Sequence, residues 1–485
     1  MINKTRFTKI ISTVGPSCQT PKVLRNMLLA GTNIFRLNFS HANHDTHLKS
    51  IKSIRAIAKS LKREVAILGD LQGPKIRLAV LDKEISVAKG DKITITTDPS
   101  RTNASTVATS YKQFAKDVKR GDKILIDDGF IELKAIKIVN EFDVLCEVFN
   151  SGILKSCKGI NLPDSNLSIN SFAKKDLVDL KFIIEQDLDF VALSFVRSAD
   201  DIKEFTKIMT ELNGEIPIIA KIEKPESIKN IDSIIDISYG VMVARGDLGV
   251  EIPAELVPFE QKRIVKLCNR KGRPVIIATQ ILESMITKVV PTRAEANDIA
   301  NAVLDGADAL MLSAETAVGL DPVNVLTTMS RIIKTAEDRS MNENWYGRHP
   351  VNDFYPIYTS DAVCYSAVRM AIDLKAKMIS CVTKGGRSVF KLAKHRPPMP
   401  ILAITDSTKT MRKLILSWGV CSTRIKKLDN SIKCLDGVIE MIDQQEILEK
   451  DDLSIFVVGL PDFASGSTNT IKAIVATKDK SVSFM

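Results

Sequence analysis

Aromatic side chains make up only 5% of this 485-residue chain, histidine occurs five times and tryptophan twice. That scarcity weakens the case for nucleic-acid binding, which a formal net charge of +10 would otherwise invite. Grooves for nucleic acid interleave clustered Lys and Arg with stacking rings, whereas the lysines here are spread along the whole length. The same surplus suits small anionic substrates, whose encounter it accelerates. No apolar run is long enough to span a bilayer, and residues 1–9 lack the apolar segment and small-residue cleavage site of a secretory signal. Eight cysteines are scattered without a Cys-x-x-Cys pair, which points to free thiols in a reducing cytoplasm and away from a disulfide or zinc framework. Also missing are G-x-x-x-x-G-K-[ST], a kinase-type glycine loop, G-x-G-x-x-G and H-E-x-x-H, so the familiar nucleotide loops and zinc-protease helices are excluded. His41, His44 and His47 do not keep to one tight face and have no cysteine beside them, so no metal is expected there.

What the chain does have is apolar residues, 45% of the total, with a mean hydropathy near zero (+0.03). That is enough for two or three domains with large cores. The dominant rhythm is an apolar strand followed by an amphipathic helix. Candidate strands are Thr8–Val14, Thr32–Leu37, Val65–Leu68, Asp189–Ser194, Ile216–Ile222, Gly240–Ala244, Arg273–Ala278 and Ala309–Leu312. About eight such units close a (β/α)8 barrel, whose strand C-termini carry the chemistry. Polar residues fall at those ends: Arg36, Asn38 and Ser40 at the second, Asp70 at the third, Arg197 at the fourth, Lys221 and Glu223 at the fifth. Asp247 ends the sixth, Thr279 and Gln280 the seventh, Ser313 and Glu315 the eighth. A doubly wound open sheet shows the same alternation but would not aim every strand end at one point.

Between about Gly73 and Ser171 the helical pattern gives way to short β-type runs (Ile85–Val87, Lys92–Thr96, Lys123–Ile126, Val144–Val148) punctuated by Gly-Asp and Asp-Gly turns. This reads as an all-β insertion in a loop at the barrel mouth, either a lid or a passive decoration. The expected division is a barrel over residues 1–72 and 172–345, a β-barrel lid over 73–171 and a C-terminal α/β regulatory domain over 346–485. The polar stretch Arg339–Pro356 marks the last boundary. The C-terminal part offers strands at Met378–Val382, Pro400–Ile404, Val420–Ile425, Leu453–Val458 and Ile471–Val475. It also offers two loops of small and hydroxylic residues, Thr383–Ser388 and Ala464–Thr470. Such loops before a helix are ready phosphate sites, or plain turns.

The most informative stretch is Ile216–Glu223, an apolar run bounded by Pro217 that delivers Lys221 and Glu223 on one face of a strand end. Gly240–Asp247 repeats the pattern and ends in a second acid. Two carboxylates from adjacent strand ends with a lysine beside them suit one hard divalent cation held against a phosphorylated substrate. The plainer alternative is a buried Lys–Glu ion pair.

Several blocks together resemble the pyruvate kinase family: Phe35–His41 (FRLNFSH), Gly69–Arg77 (GDLQGPKIR), Lys158–Pro163 (KGINLP), Ala220–Glu223 (AKIE) and Met242–Gly249 (MVARGDLG). Ala278–Met285 (ATQILESM), Pro291–Glu295 (PTRAE) and Met311–Thr316 (MLSAET) belong with them. The blocks follow the family order along essentially the whole chain, without an N-terminal helical extension, as in bacterial members. The resemblance implies a (β/α)8 barrel with an inserted all-β lid and a C-terminal α/β regulatory domain. It further implies a cytoplasmic glycolytic enzyme that transfers a phosphoryl group from phosphoenolpyruvate to ADP, usually as a homotetramer, with no nucleic-acid or membrane partner. On the matching positions, Glu223 and Asp247 hold Mg²⁺ or Mn²⁺. Arg36 binds phosphoryl oxygens, Lys221 neutralises the transition state, and backbone N–H groups near Gly246 and Asp247 grip the substrate carboxylate. Thr279 lies where the enolate is protonated, through a water relay that involves Ser313 and Glu315. Asn38, His41, Arg77 and Lys158 bind nucleotide.

Two departures from the family pattern shape further expectations. The effector loop, usually Thr-x-Ser-Gly-x-Thr, reads Thr383, Lys384, Gly385, Gly386, Arg387, Ser388, so activation by a phosphorylated sugar or nucleotide is expected with weakened affinity. The family's K⁺ position uses residues matching Asn38, Ser40 and Asp70 together with a Thr in Asp-Thr-Lys-Gly-Pro-Glu. Here the stretch is Asp70, Leu71, Gln72, Gly73, Pro74, Lys75. Lys75 is therefore expected to serve as an internal cation, with K⁺ not required; its alternative is a solvated surface lysine. Two other functions compete: a metal-dependent aldolase or lyase acting on a pyruvate enolate, and a catalytically silent phosphometabolite sensor.

Overall fold

The structure is a computed structural model that describes residues 6–165, 167–168, 172–342, 358–426, 447–459, 468–476 and 482–484. Eight parallel strands close a barrel in chain order: Lys9–Thr13, Ile34–Asn38, Ala66–Asp70, Phe190–Leu193, Ile218–Ile222, Gly240–Ala244, Val275–Ala278 and Ala309–Leu312. Closure runs through the first and last, with Lys9 opposite Ala309 and Ser12 opposite Leu312. These strands read as nearly unbroken apolar runs because both of their faces are buried. Ile11, Ile34, Leu68, Phe190, Ile219, Met242, Ile276 and Met311 fill the interior, while Leu37, Ile67, Val191, Ile222, Val243 and Ile277 pack outward against the helices. A filled interior leaves the strand ends as the place for chemistry.

The inserted segment is laid out as a six-stranded sheet plus a two-stranded ribbon, and residues 76–79 run between the two sheet edges, with single bridges from Arg77 to Gly159 and from Leu78 to Thr109. In the sheet, Ile160–Asn161, Lys123–Ile126, Ile131–Ile138, Asp143–Val148, Lys92–Thr96 and Thr106–Ala108 lie side by side. Its core is separate, built on Ile93, Ile95, Ile124, Leu133, Val144 and Leu154. The outgoing and returning connections are stitched at the lid root, where Leu78 N–H donates to Lys158 O (2.8 Å) and Ile160 N–H to Ile76 O (2.9 Å).

The C-terminal sheet orders Val420–Arg424, Ile401–Thr405, Met378–Val382, Leu453–Val458, Thr470–Ala476 and Val482–Phe484. It sits against the floor of the barrel: Ile415 and Leu416 join the interior cluster, and the buried Arg396 guanidinium bridges to Asp308 Oδ1 (2.9 Å) at the root of the eighth strand. The expected boundary segment lies mostly outside the described residues, as do residues 464–467 of the second small-residue loop.

Candidate active site at the barrel mouth

Barrel closure brings the ends of the second, third, fifth and sixth strands together. Arg36 Nε reaches Asp70 Oδ2 at 2.7 Å, and a second guanidinium nitrogen donates to Thr13 Oγ1 at 3.0 Å. Lys221 Nζ lies 3.3 Å from Asp70 Oδ1 and 2.9 Å from Glu223 Oε1, and it donates to Ser194 Oγ at 2.7 Å. Ser194 in turn donates to Leu71 O at 2.7 Å. The second Glu223 oxygen accepts the Phe195 N–H at 2.7 Å, a geometry made possible by the left-handed turn at Phe195 (φ 55°).

The electrostatics follow from burial. Removal from water alone would lower the Lys221 pKa, but Asp70, Glu223 and Asp247 outweigh that and hold its ammonium above the ordinary value. Burial would raise Asp70, yet Lys221 and Arg36 keep it below the usual carboxylate range. Glu223 goes the other way: burial, reinforced by Asp247, raises it in spite of Lys221. A buried carboxylate whose pKa is raised further by a second, partly exposed one is an arrangement that a divalent cation relieves, and oxygen donors suit Mg²⁺ or Mn²⁺. Among the described residues no group of three or more His, Cys, Asp and Glu could hold an ion alone. Glu223 and Asp247 therefore fit a cation that takes its remaining oxygens from substrate and water, the usual mode for Mg²⁺.

Thr279 is held in a strained state. Its φ of 66° and that of Gln280 (53°) are left-handed, which for a β-branched residue costs about 1–3 kcal/mol. Arg245 offsets this by donating to Thr279 O (2.7 Å) and Gln280 O (3.0 Å) while pairing with Asp298. The Thr279 hydroxyl donates to Ala278 O (2.6 Å) and accepts the Gly246 N–H (2.8 Å). The Gly246 amide, expected to face a substrate carboxylate, is thus taken by Thr279 here. Glu315 is buried, with its two oxygens accepting Ser313 N–H (2.6 Å) and Leu282 N–H (3.2 Å). It ties the seventh and eighth loops together.

The nucleotide candidates fall into two pairs. Asn38 accepts the Ser40 N–H (3.1 Å), and its carbonyl accepts the His41 N–H (3.1 Å), at the end of the second strand. Arg77 bonds Cys157 O (2.9 Å) and Lys158 pairs with Asp127 (2.8 Å) at the lid root. His44 and His47 are spent on Asp179 Oδ1 (2.7 Å) and His41 O (3.2 Å). Lys75 Nζ lies 3.9 Å from Asp247 Oδ1, whereas the Asp70 carboxylate is clasped by Arg36 and Lys221. In the C-terminal part Gly386 is left-handed (φ 89°) and gives its N–H to Thr383 Oγ1 (2.9 Å), and the Ser388 hydroxyl bonds that of Thr468. Sequence reasoning missed Ser194 and Arg245, and the bridging role of Asp70. Ser194 closes a predicted strand and Arg245 sits inside the Met242–Gly249 block, so position was the available signal.

Comparisons with known proteins agree with this architecture. Residues 5–326 match the family model "Pyruvate kinase, barrel domain" and residues 361–474 match "Pyruvate kinase, alpha/beta domain". The chain is 40% identical to the pyruvate kinase of Agrobacterium vitis over 98% of its own length and 99% of the relative's. It is 39% identical to that of Clostridium acetobutylicum over 96% and 99%. A crystal structure of a pyruvate kinase from Cryptosporidium parvum superposes with a TM-score of 0.91 at 36% identity, covering 97% of this chain and 96% of that one.

Proposed function

The chain belongs to the pyruvate kinase family, and we propose that its barrel mouth moves the phosphoryl group of phosphoenolpyruvate to ADP, giving pyruvate and ATP. The single observation that carries the reading is the meeting of Arg36, Asp70, Lys221 and Glu223 within a few ångströms, with Asp247 close enough to perturb both Lys221 and Glu223. Phosphoryl transfer asks for positioned charge more than for covalent chemistry, and this cluster supplies it.

In this reading the enol ester P–O bond breaks as an ADP β-phosphate oxygen bonds to phosphorus. Arg36, oriented by Asp70 and Thr13, binds the moving phosphoryl oxygens. Lys221, kept charged by its three carboxylate neighbours, stabilises the transferring group and the departing enolate. Glu223 and Asp247 would hold Mg²⁺ or Mn²⁺, which would supply Lewis-acid polarisation of substrate oxygens. The enolate takes a proton at its methylene carbon on the Thr279 side. Because the Thr279 hydroxyl is too weak an acid on its own, a water delivers that proton. Gly246 and Ser313 line the same side, and substrate carboxylate binding would draw the Gly246 amide from Thr279. Asn38, His41, Arg77 and Lys158 receive ADP when the lid approaches. A coupled assay for ADP-dependent pyruvate formation tests the reading: turnover with phosphoenolpyruvate is expected, and a folded, metal-loaded protein without it refutes the proposal.

Oligomerisation and regulation complete the proposal. Val289, Val290 and Leu320 are 74%, 69% and 73% exposed, and Leu320 N–H donates to Ile286 O, 3.1 Å away, on the segment that leads to the two valines. This apolar flank favours assembly into a homotetramer. The Thr383, Gly385, Gly386, Arg387, Ser388 loop is expected to accept a phosphorylated sugar or nucleotide weakly, since Gly385 offers no hydroxyl. Phosphoenolpyruvate saturation curves should shift to lower concentration with a sugar phosphate or AMP at high concentration. No shift with any of them would remove the loop's regulatory role.

A further inference from the structure

The helix Arg245–Glu251 begins beside the metal candidates and ends on a residue that breaks local rules. Glu251 is a carboxylate at the negative pole of a helix, only 5% exposed, and its Oε2 is buried without a hydrogen-bond partner. Each of these features is unfavourable. Its Oε1 carries two strong contacts instead, from Lys224 Nζ at 2.6 Å and Asn161 Nδ2 at 2.7 Å. Lys224 belongs to the barrel and directly follows Glu223. Asn161 belongs to the lid and lies three residues after Lys158.

The same face of this helix meets the lid segment elsewhere. Asp247 faces Lys75 at 3.9 Å, and Val250 Cγ1 lies 3.8 Å from where a Cβ on Gly129 would be. Positions 247, 250 and 251 are spaced i, i+3, i+4, one stripe of a helix. Asn161 pairs with Leu125 in a strand that runs into Asp127, the partner of Lys158. One carboxylate oxygen therefore joins the backbone beside a metal candidate to the backbone beside a nucleotide candidate.

We infer that Glu251 is a positioning residue that latches the lid, through Asn161, onto the helix that carries Asp247, and so sets the distance between the nucleotide cations and the phosphoryl-transfer centre. Its kinetic consequence rests on the phosphotransfer reading; the latch itself does not. Asn161→Ala removes only the lid partner and leaves the Lys224–Glu251 pair intact. Loss of a charge-assisted hydrogen bond is expected to raise KM for ADP about tenfold or more, while KM for phosphoenolpyruvate, bound by barrel residues, changes less than about twofold. Asn161→Asp sets two carboxylates face to face and should be worse. Combining it with Glu251→Gln restores a donor and an acceptor with roles exchanged, and is expected to recover most of the loss.

Hydrogen exchange on the ligand-free protein gives an arm independent of activity. The amides of Leu78, Asp127 and Ile160, bonded at the lid root, should exchange faster in Asn161→Ala, while those of the barrel strands hold. Unchanged exchange and an unchanged KM for ADP in both single variants would overturn the latch, as would a double variant whose losses simply add. An unaltered protein that lacks turnover would refute the phosphotransfer reading alone, and exchange would still decide the latch.

Discussion

An Asp247→Ala protein is expected to fold normally and to lose at least about a thousandfold in turnover, the scale of several kcal/mol supplied by a Lewis-acid cation. The fold should survive because Asp247 has little structural stake: its side chain is 31% exposed and its ion partner is Lys75 at 3.9 Å. Glu223 is a poorer probe by alanine, since its removal strands the half-buried Phe195 N–H and takes one of the carboxylates from Lys221. Glu223→Gln keeps the shape and one of the two acceptors, so it disturbs the site less than alanine does, but its NH2 group must face either the Phe195 N–H or Lys221. Coupled assays across a Mg²⁺ and Mn²⁺ titration, with circular-dichroism melting to certify the fold, make the measurement. Near-unaltered turnover by folded Asp247→Ala protein would sink the metal assignment. A subsidiary effect has a definite sign: because Asp247 helps to raise the Glu223 pKa, its loss should move Glu223 toward lower pH.

Much of this was legible in the residues because the information is local. The strands Gly240–Ala244, Ala309–Leu312, Met378–Val382 and Leu453–Val458 coincide with the apolar runs that announce them, and the other barrel strands differ only at their ends. Such runs are bounded by Gly, Pro and polar residues, which terminate a buried strand whatever its neighbours do. Lys221 and Glu223 were visible for the same reason, since two residues along a strand always share a face. The lid was read less well. Ile131–Ile138 escaped because its inward Ile, Leu and Ala alternate with charged residues and it follows a turn of three left-handed residues, Asp127, Asp128 and Gly129. Partnerships made by closure were not legible at all. Asp70 bridges Arg36 and Lys221 because the barrel curls three separated strands around one point, and no spacing in the chain encodes that distance. Glu251 carries no local mark of burial in the sequence; it is buried because the lid root lies against it.

Turnover in sodium- and potassium-free buffer is expected to match that with added KCl at equal ionic strength. The family's K⁺ position would draw on Asn38, Ser40, Asp70 and the residue after it, but here that residue is Leu71, 1% exposed and part of the hydrophobic core. It cannot offer an oxygen to an ion from its side chain. The Asp70 carboxylate already faces two fixed cations, Arg36 and Lys221, so a third positive charge gains little there. Lys75 brings its ammonium in from the other side, against Asp247, where a tethered charge can act on the transferring group without a cage of ligands. At 29% side-chain exposure it is neither buried nor a fully solvated surface lysine. Lys75→Glu would set a carboxylate against Asp247, and turnover should fall by about a hundredfold, the usual loss when one oriented charge at a transition state is removed. Lys75→Met, which deletes the charge without adding repulsion, should fall between that and the unaltered enzyme. KCl should not rescue either, because Leu71 still withholds a ligand. Many-fold stimulation of the unaltered enzyme by K⁺, or full activity in Lys75→Met, would show that the ammonium does not serve as the internal cation.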